Sequence, residues 1–327
     1  MVNLYKGKNM KQFIIKSNDA DQRLDKFILK AFPELQKSVM YKAIRTKNIK
    51  LNGKRCEIST RLREGDELKI FINDELLGSR KAEKKQVFQK GGTLKREDVI
   101  YEDENIILIN KKPGVIVHSD SRNETDTLAD RLKNYLCTHG EYDPSAENSF
   151  APALCNRLDR NTAGIVIGAK NAAALREINK KIRENNVVKK YLCLLSSLPE
   201  KHKATITAWH RKDNATNIVT VKNEEFEGSK QIITKYRVVD QSFGGYVLAE
   251  VELVTGRTHQ IRAHMAFIGC PLVGDTKYGR REVNEHSGFE YQALCAYRLM
   301  FRKTEEENVL SYLEGREFEC RDIWFLT

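Results

Sequence analysis

The chain has 327 residues and a mass of 37.6 kDa, room for about two domains at ~100–200 residues each. With 40% hydrophobic residues, 31% charged residues and only six prolines, it can bury a core and is not broadly disordered. No apolar run approaches the ~18 residues of a membrane span, and Met1–Gln12 lacks the apolar centre of a secretion signal. The seven cysteines are odd in number, lie 18 or more residues apart and include no C-x-x-C pair, so neither a disulfide framework nor a zinc ribbon is indicated, and a reducing cytoplasm is the expected setting.

The formal net charge of +11 is unevenly placed. Residues 1–90 hold 22 Lys+Arg against 11 Asp+Glu, and the other 237 residues are neutral in balance. An excess confined to one short region reads either as a solvated surface or as a polyanion-binding module. Nucleic acid is the leading partner, because each cation placed on a phosphate releases condensed counterions.

In chain order, Leu24, Phe27, Ile28 and Ala31 lie at i, i+3, i+4 and i+7 between Asp21 and Phe32, which predicts a helix ended by Pro33. Ser38 is the expected N-cap of a second helix carrying Lys42, Arg45 and Lys47. Asn52-Gly53, between Ile49-Lys50-Leu51 and Lys54-Arg55, predicts a hairpin. Leu68, Ile70 and Ile72 alternate as a strand after Gly65-Asp66.

Residues 12–73 resemble the S4 RNA-binding module through Arg23-Leu24-Asp25, Lys37-Ser38, Asn52-Gly53-Lys54-Arg55 and Gly65-Asp66. The expected organisation is an S4-like domain over 11–73, a linker over 74–97 with a Gly91-Gly92 pair, and a second domain over 98–327.

Beyond the linker, Ile106–Ile109 reads as a strand ending in the turn Lys111-Lys112-Pro113-Gly114. Thr127-x-x-Asp130 opens a helix running to Leu136, and Asn171 caps another bearing Leu175, Ile178 and Ile182. Strands are expected at 165–167, 190–195, 231–239 and 246–254. The fold class is α+β: a mainly antiparallel mixed-sheet domain with flanking helices, plus the small N-terminal α/β module.

Several standard sites are missing. There is no G-x-G-x-x-G and no H-E-x-x-H, and Gly164-x-x-x-Gly168-Ala169-Lys170 is one residue short of a phosphate loop. No metal site is expected, so ordinary side chains must carry any chemistry.

Two segments stand out. Asn156-Arg157-Leu158-Asp159-Arg160 runs into the apolar strand 165–167. It reads either as a surface turn whose aspartate accepts backbone N–H groups or as an ionised carboxylate held between guanidiniums. Thr255 to Met265 follows the strand 246–254, with Ile261, Met265 and Ile268 on a helix face closed by Gly269. That spacing crowds Arg257, His259 and Arg262 into a first turn, where the helix dipole disfavours cations by ~0.3–1 kcal/mol each. Those cations either serve a function or cover acids such as Glu250 and Glu252.

Together these segments resemble the RluA-type pseudouridine synthases. The likeness spans nearly the whole chain through Lys111-Lys112-Pro113-Gly114, Val117-His118, Arg157-Leu158-Asp159-Arg160, Lys189-Lys190-Tyr191, Gly256 to Met265, and Gly274-Asp275-x-Lys277-Tyr278-Gly279. With the S4-like start, the chain is similar to the large-subunit ribosomal RNA members of that family. The resemblance implies isomerisation of uridine to pseudouridine in RNA by a monomer, without metal, redox cofactor or nucleotide.

It also implies Asp159 as the catalytic carboxylate, Arg262 as its partner, and Tyr191 packed on the target base. Arg157 would fill the space of the flipped nucleotide, and Arg257 with Lys37, Lys42, Arg45, Lys47, Lys54 and Arg55 would hold RNA. The family usually has His, Asp and Ser where this chain has Asn156, Asn161 and Ala163, which alters the hydrogen bonds available around the loop. The other readings are a synthase acting on tRNA and a non-catalytic RNA-binding factor that keeps the fold.

Overall fold

The computed structural model describes residues 10–77, 91–119, 126–213 and 215–326. Contacts divide the chain into two compact units, one of 1–94, 123–153 and 169–176 and one of 95–122, 154–168 and 177–327. The units are interleaved in sequence, where the sequence predicts one continuous segment from 98 onward.

In the first unit a four-stranded sheet has the order β1-β4-β2-β3, from β1 (Met10–Ile14), β2 (Ile49–Leu51), β3 (Lys54–Arg55) and β4 (Glu67–Phe71). Asn52 and Gly53 both take positive φ, 50° and 74°, as the two-residue hairpin joining β2 to β3 requires. Helix α1 (Leu24–Ala31) buries all four residues of its apolar stripe, worth roughly 1.5–3 kcal/mol for each large one.

Helix α2 spans Lys37–Arg45 with Gln36 as its N-cap, so the cap falls two residues before Ser38. Leu35 and Met40 are both buried at the positions of a hydrophobic staple, and this packing fixes where the chain enters the helix. The expected linker begins with a further short helix, α3 (Asp74–Leu77), whose Leu77 joins the unit's core. Most of the remaining linker, 78–90, lies outside the described residues.

Buried Asp19 ties residues 148–149 into this unit by accepting hydrogen bonds from Asn148 Nδ2 (2.7 Å) and from the Ser149 amide (3.1 Å) and hydroxyl (2.7 Å). Helix α4 (Leu128–Thr138) starts at Thr127, whose hydroxyl oxygen accepts from the Asp130 amide at 3.2 Å. Asn171 Oδ1 likewise accepts from the Ala174 amide, at 2.8 Å, in the first turn of α5 (Ala172–Arg183).

The second unit is built on a large mixed sheet. Its strands are β5 (Val99–Glu102), β6 (Ile106–Lys111), β7 (Ala153–Leu154), β8 (Ala163–Ala169), β9 (Val187–Leu195), β10 (Lys203–Lys212), β11 (Val219–Lys222), β12 (Lys230–Phe243), β13 (Tyr246–Leu253), β14 (Leu294–Phe301) and β15 (Glu317–Glu319). The main order is β11-β10-β12-β13-β9-β14-β8-β6-β5, with β15 on β14 and β7 on β8. The β14–β8 pair is parallel, whereas β10–β11, β10–β12, β12–β13, β13–β9, β14–β9, β14–β15 and β5–β6 are antiparallel.

Register brings the important positions level. Ala163 pairs with Cys295, Cys295 with Leu192, and the adjacent Tyr191 with Val251. The entrance to β8 therefore lies level with the middle of β9, one strand away across β14. This close parallel approach needs Gly164, which has φ +114° and on which a Cβ would lie within 3 Å of the Ala296 backbone.

Candidate active site

The side chains gathered around Asp159 all belong to the second unit. Asp159 lies in the loop before β8, where its carbonyl accepts from the Thr162 amide at 3.0 Å. The loop is held from below by Lys111 at the end of β6. Its side chain is 1% exposed, and its ammonium donates to the carbonyls of Lys112 (3.1 Å), Val115 (2.9 Å) and Arg160 (2.8 Å). Burial pushes the Lys111 amine down to about 7, against the pull of Asp159. Three carbonyl acceptors favour the ammonium form.

Asn156 also supports the loop: its Oδ1 accepts from the Ile167 amide at 2.8 Å, and its Nδ2 donates to the Ile165 carbonyl at 3.3 Å. Asparagine at this position thus binds both polar groups of the β8 backbone.

Arg262 arrives on α6 (Gln260–Phe267). The helix starts later than the sequence suggests. His259 is its N-cap, Arg257 precedes it, and only Arg262 of the three sits in the first turn. Gln260 produces this arrangement: it accepts from the Thr255 hydroxyl (2.9 Å) and the Arg257 amide (3.0 Å) and donates to Ile233 O and Thr234 Oγ1, both at 3.1 Å. The turn is thereby pinned to β12 before the helix begins. At the other end, Gly269 and Cys270 donate to Ala266 and Met265, a Schellman closure with both bonds at 3.0 Å.

The Arg262 guanidinium is shared between two carboxylates. Nε and Nη2 fork onto Asp275 at 2.6 and 2.9 Å, and Nη1 donates to Asp159 Oδ2 at 3.0 Å. Burial works against its charge, but Asp275 and Asp159 outweigh that and raise its pKa above the ordinary arginine value. Asp275 itself is fully buried. Burial pushes its carboxyl up, yet Arg262 and the amides of Lys277 (2.9 Å) and Tyr278 (3.1 Å) hold it below the usual range. Three charge-assisted hydrogen bonds, two to Asp275 and one to Asp159, offset the unfavourable cation at a helix N-terminus.

Asp159 differs from Asp275 in having an open side. Its side chain is 27% exposed, and among the described residues Oδ1 accepts no hydrogen bond while Oδ2 meets Arg262. The arrangement yields a carboxylate oriented through one oxygen and accessible through the other. Tyr191, on β9, is 6% exposed, and its hydroxyl makes no hydrogen bond among the described residues. Burial raises its pKa, and the Asp159 charge acts in the same direction, so the phenol stays protonated.

The structure thus brings Asp159 and Arg262 into direct contact and sets the strand of Tyr191 level with the entrance to β8. Arg157 and Arg257 are exposed. Lys37, Lys42, Arg45, Lys47, Lys54 and Arg55 are all exposed in the first unit, and none makes an ion pair among the described residues. Sequence reasoning quoted Asp275 and Tyr278 without giving them work to do and assigned none to His259. A second signal lay in Gly274-Asp275, where an acid directly follows a turn glycine, but its partner is remote in the chain.

The chain is thus a two-unit α+β protein with a carboxylate–guanidinium pair at its mixed sheet. Residues 105–267 match the RNA pseudouridylate synthase family model and residues 22–68 the S4 domain model. The chain is 32% identical to an uncharacterized RNA pseudouridine synthase of Mycoplasma genitalium, over 96% of this chain and 97% of that protein. It is 30% identical to ribosomal large subunit pseudouridine synthase C of Rickettsia felis, over 91% and 96%. The fold is also similar to that of human RNA pseudouridylate synthase domain containing 4, with a TM-score of 0.53 at 22% identity over 70% of this chain and 89% of that one. The chain belongs to the RNA pseudouridine synthase family and carries an S4 domain.

Proposed function

We infer that this synthase modifies uridines of large-subunit ribosomal RNA and that Asp159 is its catalytic carboxylate. In the reaction the C1′–N1 bond of uridine breaks, the uracil turns while bound, and C1′ bonds to C5. The C5 proton leaves, and N1 gains one, so atoms and electrons balance without a redox partner. Nucleophilic attack at C1′ and a glycal route both need one ionised carboxylate oxygen at the ribose. The observation that carries the reading is Asp159 itself, with Oδ2 on Arg262 at 3.0 Å and Oδ1 open. No activating base is needed, since a carboxylate is ionised at neutral pH.

Arg262 holds the carboxylate, Tyr191 packs on the everted base, and Arg157 takes the vacated place in the helical stack, reducing the few kcal/mol that base extrusion costs. Arg257 and the exposed S4 cations hold the phosphate backbone. The ribosomal target is supported by the Rickettsia relative together with the basic S4 unit. A site-resolved pseudouridine map of ribosomal and transfer RNA from cells lacking the gene tests it. Loss of modification at large-subunit positions is expected; unchanged large-subunit RNA refutes the target.

A further inference from the structure

His259 is unusual in three respects. It is a non-glycine residue in the left-handed region, with φ 52° and ψ 20°, at the N-cap of α6, a conformation L residues adopt at a cost of about 1 kcal/mol or more. Its side chain caps nothing. It points instead into the site, 8% exposed, with Nε2 at 3.8 Å from Asp159 Oδ2 and Nδ1 at 2.9 Å from the Tyr278 hydroxyl.

The hydrogen bonds around Tyr278 set the imidazole tautomer. The Val219 amide donates to the phenol oxygen at 3.0 Å. The phenol proton then needs an acceptor, and among the described residues His259 Nδ1 is the atom in reach. An imidazole that accepts at Nδ1 carries its proton on Nε2, the nitrogen facing Asp159. The same Tyr278 ring lies under the Arg262 guanidinium at 5.3 Å, so one tyrosine braces both neighbours of the carboxylate. Burial holds the imidazole down to about 4; Asp159 and Asp275 oppose this, while Arg262 and Lys277 reinforce it. The ring is therefore neutral at pH 7.

We propose that His259 is a positioning residue for Asp159, presenting a neutral Nε2–H donor to Oδ2 so that the carboxylate turns Oδ1 toward the ribose. At 3.8 Å the contact is longer than a hydrogen bond, and it closes when the nucleotide binds, as such contacts do on going from a free to an occupied site. This role rests on the reading of Asp159 as the catalytic carboxylate.

The test combines a spectrum with kinetics. Nitrogen-15 NMR of histidine-labelled protein should show His259 as the neutral Nε2–H tautomer at pH 7, and Tyr278→Phe should release it to a tautomer mixture. His259→Asn keeps a residue that tolerates the left-handed backbone but is too short to reach Asp159. It should lower kcat on the order of 10-fold to 100-fold, with KM changed less than about three-fold. His259→Gln, whose amide falls near the Nε2 position, should restore kcat to within about five-fold of wild type. An Nδ1–H tautomer, or wild-type kcat in His259→Asn while Asp159→Asn is inactive, overturns the role of His259 alone. Normal turnover by Asp159→Asn removes the reading of the site and this inference with it.

Discussion

Replacing Asp275 with asparagine removes the charge that anchors Arg262 while keeping the side-chain shape. In the folded chain Asp275 accepts two hydrogen bonds from Arg262, at 2.6 and 2.9 Å, and two from backbone amides. The asparagine would leave a guanidinium that is 6% exposed with only Asp159 to balance it. Breaking a buried pair on one side costs about 3–5 kcal/mol. At an m-value of ~1–3 kcal/mol/M in urea, the midpoint should fall by roughly 1–5 M. Trp209 and Trp324, the two tryptophans of the chain, both lie in the second unit, so fluorescence reports its unfolding. Arg262→Met should cost a similar amount alone. The double variant should be more stable than the sum of the two losses predicts by ~2 kcal/mol, because it leaves neither charge of the buried fork unpaired, while loss of the Asp159 contact is common to both Arg262 variants. The single Asp275→Asn variant should also lose activity, as Arg262 closes onto both oxygens of Asp159. A single-variant loss under 1 kcal/mol, or additive losses in the double variant, would show that the fork does not hold the site together.

Two further perturbations act through other parts of the molecule. Gly164→Ala should destabilise the second unit by ~3 kcal/mol or more, since it imposes a side chain at φ +114° against the Ala296 backbone; a urea midpoint within error of wild type would contradict the close approach of β8 and β14. His264 is fully buried, with Nδ1 on Thr234 Oγ1 at 2.9 Å, and burial, with nearby His210 acting in the same direction, lowers it from 6.5 to about 4, the value His259 shares. Between those limits the unfolded chain binds the extra protons, so stability is fully present above pH 6.5 and falls as the pH drops toward 4, by up to about 3 kcal/mol per histidine. Urea midpoints measured from pH 7.5 to 4.5 should decline in that window, with a shallower decline in His264→Gln; a flat profile would be inconsistent with neutral buried imidazoles.

Local signals carried most of what the sequence made legible. The stripe Leu24-Phe27-Ile28-Ala31, the Asn52-Gly53 turn and the Thr127 cap are each decided by neighbours within four residues, and each forms as read. The α2 cap was misread because burial of Leu35 and Met40 overrides the capping preference of Ser38. Strand β14 was not read at all: Leu294–Phe301 is nearly continuous apolar sequence, which periodicity cannot distinguish from a buried helix segment. In the site, Asp159 and Arg262 were legible through their motifs. Asp275 and His259 were not: Asp275 meets Arg262 only once the loop beyond α6 folds back on that helix, and His259 meets Asp159 from the loop before β8 and Tyr278 from beyond α6. A glutamine, Gln260, displaces Arg257 from the helix by binding β12, and no short-range rule anticipates that.

Turnover of the Asp159→Asn variant on ribosomal RNA, with its RNA affinity measured alongside, addresses the role of the open carboxylate most directly. The variant keeps an acceptor for Arg262 but has no anionic oxygen at the ribose. It should form no pseudouridine while binding RNA within a few-fold of wild type. Pseudouridine appearing at a near-normal rate would mean that the chemistry resides elsewhere.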